Sequence, residues 1–243
     1  MTRRLVVNAD DLGLSSGVND GIARACRDGI VTSASLMVHQ PAATEAAELA
    51  RCERGLSIGL HVDLGEWVAA EDDWVARYER VDLDDGEAID REIRAQLGAF
   101  LALVGRPPTH LDSHQHVHRR EPVRAILRSV ASELAVPLRE DTPGISYCGA
   151  FYGADDRGNP YPDAVGTESL IRILHALPDG VTELSCHPAA VVDIATEYAD
   201  QRPWELATLC DVRVRTAVAG AKVGLVGFGD LGRPDPRAVL PGR

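Results

Sequence analysis

Basic residues are in short supply: 25 Lys and Arg stand against 37 Asp and Glu, for a formal charge of -12 over 243 residues. A nucleic-acid binder needs a basic stripe to neutralise phosphates, and none is visible, so nucleic acid and anionic membrane surfaces are not expected partners. Long hydrophobic runs are missing too. Leu5-Val6-Val7 behind Arg3-Arg4 is too short for a signal-peptide core, and no later run approaches a membrane span. The five cysteines (Cys26, Cys52, Cys148, Cys186, Cys210) are odd in number, scattered and without a C-x-x-C pair, which reads as reduced thiols in a cytoplasmic protein. Nor does any repeat, linker or low-complexity stretch divide the chain. At 45% hydrophobic it can bury one core, so residues 1–243 are expected to form a single domain, with a homodimer as the assembly to test.

What is present is an alternation of two periods. Apolar runs at 5–8, 33–38, 57–64, 181–186 and 221–226 predict strands, with shorter ones at Leu111 and at 137–139. Helical spacing marks Val18, Ile22 and Cys26, residues 42–54, the stripe Ile89, Ile93, Leu97, Phe100, Leu101 and Val104, the segment after Pro122, and 167–177 and 211–219. Such alternation implies parallel β/α units in one sheet or barrel. Residues 141–165 are rich in Gly, Asp, Pro and Tyr and show neither period, so they read as a long loop serving as a lid. Gly227-Phe228-Gly229-Asp230-Leu231-Gly232 has the spacing of a dinucleotide fingerprint. No helix follows it, and it is read as a turn closing the last strand.

Polar residues cluster where the strands end. In His110-Leu111-Asp112-Ser113-His114-Gln115-His116-Val117-His118, strand alternation places His110, Asp112 and His114 on one face, with His116 and His118 on the loop beyond. Imidazole and carboxylate on one face suit a divalent cation. Asp10-Asp11, His61, Arg139 and His187 fall at further strand ends, where parallel β/α folds build active sites. Adjacent Asp10 and Asp11 can share a pocket only if the strand bends, and Gly13 allows a turn there.

Asn8-Ala9-Asp10-Asp11-Leu12-Gly13, Gly29-Ile30-Val31-Thr32-Ser33, Gly59-Leu60-His61, the 109–118 segment, Phe151-Tyr152-Gly153 and Cys186-His187-Pro188 together resemble the YdjC-like carbohydrate deacetylases, which include chitooligosaccharide deacetylases. The resemblance implies a single-domain α/β protein, an irregular (β/α) barrel similar to polysaccharide deacetylases, acting on N-acetylated amino sugars or oligosaccharides. It implies one divalent metal, with Asp11, His61 and His114 as ligands; Mg and Zn lead the candidates, and Co, Ni or Fe also suit such donors. Amide hydrolysis further needs a base and an acid, for which Asp10 and His187 are the candidates. Arg139, by similarity to an arginine of polysaccharide deacetylases, would hold Asp10 ionised. Asp112, His116 and His118 are expected to support the ligands or touch substrate, and Tyr152 and Trp67 to stack on a sugar face. The rival readings are a non-catalytic carbohydrate- or metal-binding protein on the same barrel and, on an all-β scaffold, a non-haem iron enzyme.

Overall fold

The computed structural model describes residues 3–70, 73–155, 159–196 and 198–231. The chain enters through β1 (Arg3–Leu12), buried on both faces at Leu5, Val6, Val7 and Ala9, as befits the middle of a parallel sheet. Ser15 caps α1 (Ser16–Arg27): its hydroxyl accepts from the Val18 amide, and Val18, Ile22 and Ala25 turn inward at helical spacing. β2 (Ser33–Leu36), α2 (Ala43–Cys52) and β3 (Ser57–Val62) continue the alternation. An antiparallel hairpin, β4 (Gly65–Ala70) and β5 (Asp73–Glu79), then stands apart from the main sheet. The Asp85 side chain caps α3 (Gly86–Val104), and Gly105 stops it at φ 77°, a conformation glycine adopts without penalty. There follow β6 (Leu111–Ser113), a 3₁₀ segment (His114–Arg119), α4 (Val123–Leu134), β7 (Ile145–Cys148), a second 3₁₀ turn (Pro162–Val165) and α5 (Thr167–Ala176). β8 (Gly180–Cys186), α6 (Gln201–Leu209), α7 (Val212–Gly220) and β9 (Val223–Leu225) complete the order.

The seven-stranded sheet runs β6-β3-β2-β1-β8-β7, with β9 on the part of β1 that β2 leaves unpaired, and every ladder is parallel. Among the described residues no ladder joins β6 to β7. The expected (β/α) barrel is therefore an incomplete, curled one. Its strand C-termini converge on one end, bringing Asp10, His61, Ser113 and Cys186 together. No helix among the described residues is long and apolar enough to cross a membrane.

Four sequence expectations need correction or addition. Residues 137–139 form a single bridge from Leu138 to Leu111 rather than a strand, because Arg139 turns inward directly afterwards. The 141–165 segment is not uniformly irregular: it holds β7 and the fully buried Phe151, and four strand residues are too few to show a period. The hairpin was not foreseen. It is anchored by Tyr78 and Arg80, which donate to the buried Asp63 carboxylate at 2.9 and 3.0 Å. Helix α6 escaped as well, since Gln201, Arg202, Glu205 and Thr208 outnumber Leu206 and Leu209 on its buried face, and two leucines are too few to show a hydrophobic period. The 227–231 part of the glycine-rich segment is a short turn over which Phe228 packs inward; Gly232 lies outside the described residues.

Candidate active site

The site begins with a break in β1. Its register with β2 slips between Ala9 and Leu12, and Asp11 sits at φ 66°, in the left-handed region. The bend thus starts at Asp11 itself, ahead of Gly13 at φ 93°. That irregularity turns both carboxylates into one pocket, and strain of this kind persists where surrounding structure over-determines it.

Asp11 Oδ1 lies 3.4 Å from His61 Nε2 and 3.2 Å from His114 Nδ1, while Oδ2 accepts from Arg202 at 2.6 Å. His61 Nε2 is buried with no hydrogen-bond partner, and its Nδ1 is fixed by Asp112 Oδ1 at 2.8 Å. Burial works against a charge on His61, but the Asp112 carboxylate and the two aspartates at the end of β1 push its pKa up to about 10. The imidazole therefore faces an environment built for a cation. Burial alone would raise the Asp11 pKa; Arg202 and the two histidines reverse this and hold it well below the usual carboxylate range. One ionised carboxylate, one orphaned imidazole nitrogen and a second imidazole within 4.8 Å fit a divalent metal. The carboxylate oriented behind His61 is what ligating imidazoles require. Asp10, His61 and Asp112 are comparably close, but Arg139 already fills the space between their carboxylates.

Beside this cluster, Asp10 is clamped by Arg139 through both oxygens, at 2.6 and 2.7 Å, and also accepts from Asn8 at 2.8 Å. Burial would raise the Asp10 pKa; the guanidinium prevails and keeps it below the ordinary carboxylate value. Arg139 also holds Asp112 at 2.9 Å and Glu183 at 2.7 Å. At Glu183 burial prevails over Arg139, and its pKa rises to about 7. Across from Asp10 Oδ2, at 3.9 Å, lies His187 Nε2. Burial would strip the His187 proton, but Glu205, Asp10 and Asp11 outweigh it and raise the pKa. Glu205 accepts from the His187 amide and the Tyr198 hydroxyl; at 3.8 Å from His187 Nδ1 it acts on the ring through its charge.

The other expected residues lie at graded depths. His110, Asp112 and His114 do follow one side of the chain, but only His114 reaches the cavity. His110 lies beneath, stacked 4.0 Å from Phe228 and bonded to Ser35 and Thr109, with burial lowering its pKa to about 4. It rests on Gly59, where a Cβ would approach the ring to 2.5 Å. Asp112, expected either to support a ligand or to touch substrate, is fully buried and bonded to His61, Ser35 and Asn8, so its contacts position the ligand and do not reach substrate. His118 is likewise buried, against Ser113 and Glu140. His116, Trp67 and Tyr152 do line the cavity, whose volume is about 930 Å³. Tyr152, 42% exposed, is stacked on Tyr198 at 4.5 Å and meets the His187 ring edge-on at 5.6 Å. Gln115 ties the hairpin to the site, accepting from the Trp67 amide at 2.9 Å and donating to the Trp67 carbonyl at 2.7 Å. Arg202, Glu205, Tyr198 and Glu183 were not anticipated: none sits in a cluster, and only the fold brings them in.

Comparison with known proteins agrees with this architecture. The family described as YdjC-like protein matches residues 4–220. A carbohydrate deacetylase of Brevibacillus brevis is 35% identical, covering 94% of this chain and all of the relative. A chitooligosaccharide deacetylase of Citrobacter koseri is 33% identical over 95% of this chain and all of its own length. Among solved structures, a candidate cellobiose-phosphate cleavage protein from Enterococcus faecalis superposes with a TM-score of 0.74 at 25% identity, covering 95% of this chain and 99% of the other. A family 4 carbohydrate esterase from Streptomyces lividans, in complex with acetate, shares the fold at a TM-score of 0.54 and 16% identity over 92% and 91% of the two chains. Six motifs in order, a parallel sheet with its polar residues at one end, and relatives matched end to end converge on one assignment: the chain belongs to the YdjC-like family.

Proposed function

We propose that the protein is a metal-dependent hydrolase that removes the acetyl group from N-acetylated amino sugars, in mono- or oligosaccharides of the chitooligosaccharide type. The observation that carries this reading is the pairing of a cation-ready cluster with an ionised Asp10 and a protonation-prone His187 set 3.9 Å apart. Asp11, His61 and His114 would hold the cation; the donors suit zinc, cobalt, nickel or iron, and magnesium with water completing its shell. When bound, a divalent cation supplies polarisation of the acetyl carbonyl and a lowered pKa for water.

The remaining steps belong to the chain. Asp10, kept ionised and aimed by Arg139, takes the proton of the attacking water. His187, kept protonated by Glu205 and the aspartates, gives a proton to the departing amine nitrogen, without which an amine is too poor a leaving group. Tyr152 and Trp67 both line the cavity, where aromatic side chains can meet the apolar side of a sugar ring. The parallel sheet departs from the all-β scaffold that the iron-enzyme reading requires. Binding alone would need neither a base nor an acid beside the ligands.

Acetate release from a panel of N-acetylated mono- and oligosaccharides, measured after metal reconstitution, tests the proposal. Activity is expected in the wild type and absent from His61→Ala and His114→Ala, which should lose metal with the fold intact. No acetate from any N-acetyl sugar under full metal loading would refute it.

A further inference from the structure

A second group of donors lies beyond the catalytic cluster. His116, His118 and Glu140 bring three ligand atoms within 4.8 Å of one another. Glu140 Oε2 is 3.3 Å from His118 Nε2 and 3.8 Å from His116 Nδ1. Tetrahedral donors at zinc bond lengths stand about 3.3 Å apart, so little movement is needed to close on an ion.

Each imidazole is also oriented from behind. His118 Nδ1 meets the Ser113 hydroxyl at 2.7 Å, and His116 Nε2 meets the Tyr147 hydroxyl at 3.3 Å. Partners on the far nitrogen fix the tautomer and direction of a ligating ring. His116 Nδ1 is buried without a hydrogen-bond partner, which is costly unless something satisfies it. His116 and Glu140 both hold left-handed backbone, at φ 54° and 59°, the kind of strained conformation that clusters at ligand sites.

We propose that His116, His118 and Glu140 form a second divalent-cation site, of the zinc type, in the wall beside the first. Arg119 is its built-in competitor. Its Nε and Nη2 donate to Glu140 at 2.6 and 2.8 Å, so the guanidinium and a cation contend for the same carboxylate. The Arg119 side chain is 54% exposed and has room to swing outward when the ion takes Oε2. The assignment does not depend on the deacetylase reading, since it concerns ion binding alone.

Calorimetric titration of the metal-stripped full chain with Zn²⁺ is the test. Two binding steps are expected in the wild type, the tighter at Asp11, His61 and His114. Glu140→Gln should weaken the second step by roughly ten- to a hundredfold while leaving the first in place. Arg119→Met should tighten the second step severalfold, a direction that a purely structural His-Glu-Arg cluster does not predict. Both substitutions lie at partly exposed side chains, so neither empties the core. A second step that appears only in Arg119→Met also supports the proposal, because it shows the arginine excluding the ion. One step in both the wild type and Arg119→Met overturns it, as does a second step that survives Glu140→Gln unchanged.

Discussion

Replacing Asp10 by Asn separates catalysis from assembly at this site. Asparagine keeps the shape of Asp10 and its contact with Asn8 but cannot accept a proton. Removing one partner of a buried ion pair ordinarily costs about 3–5 kcal/mol, because the other charge is left alone. Here Arg139 retains Asp112 at 2.9 Å and Glu183 at 2.7 Å. The loss is therefore nearer that of weakened buried hydrogen bonds, about 1–3 kcal/mol, and the melting temperature should fall by only a few degrees. Turnover should fall much further, by about 10² to 10⁴, equivalent to roughly 2.7–5.4 kcal/mol of barrier. Metal content should stay at the wild-type level, since both Asp10 oxygens are already taken by Arg139. Acetate release, elemental analysis and thermal unfolding on one preparation give all three quantities. A variant that loses its metal would make Asp10 a ligand, and one that keeps its metal and turns over within tenfold of wild type would place the base elsewhere.

Asp112→Asn should weaken metal binding by roughly ten- to a hundredfold through its effect on His61, with no change in substrate KM beyond that of the metal; unaltered metal affinity would show that the His61 ring is held by packing alone. His187→Ala should hydrolyse an activated aryl acetate far better than an acetylated amine, and equal losses on both would mean that the proton comes from another group. Because the His187 pKa is raised in the folded protein, its protonated form stabilises the fold at low pH and that contribution is lost as pH rises through the raised value. The alkaline limb of the rate profile should accordingly lie above the usual imidazole range, and Glu205→Gln should move it to lower pH; an unmoved limb would separate Glu205 from the acid. Hydrogen exchange across residues 145–155 should slow when product binds, as expected of a segment that carries Tyr152 into the cavity, and unchanged exchange would reduce it to a connection.

How much of this was legible in the sequence depended on where the information lies along the chain. Asp10, Asp11, His61, His114 and His187 were readable because each follows a short apolar run that marks a strand, and strand ends in a parallel sheet converge. Arg139 was readable as a strand-end residue, but its role beside Asp10 came only by resemblance, since one arginine among many carries no local signal of its partner. Arg202 and Glu205 were hidden by their own role: a helix whose inner face is mostly polar, with only Leu206 and Leu209 as apolar residues among its buried ones, lacks the periodicity that would reveal it. The depth ordering of His110, Asp112 and His114 was also out of reach. Alternation gives the face of a strand but not the packing of Phe228 and Gly59, from two distant segments, that seals His110 beneath the floor.

The two hydrogen bonds between Gln115 and the backbone of Trp67 bear on how such a protein can diversify. They are made to main-chain atoms, so any residue except proline, which lacks the N–H, can replace Trp67 without breaking them. They also begin one position after His114. The hairpin's side chains can therefore be exchanged, to suit a longer, shorter or differently decorated saccharide, while the docking point stays the same. Its length and register cannot drift so freely: an inserted or deleted residue before Trp67 pulls on Gln115, and through it on the neighbouring ligand. Grafting hairpins from relatives should work when the anchor at Asp63 and the Gln115 contact are transplanted as one unit, and should fail through metal loss, rather than altered selectivity, when they are not.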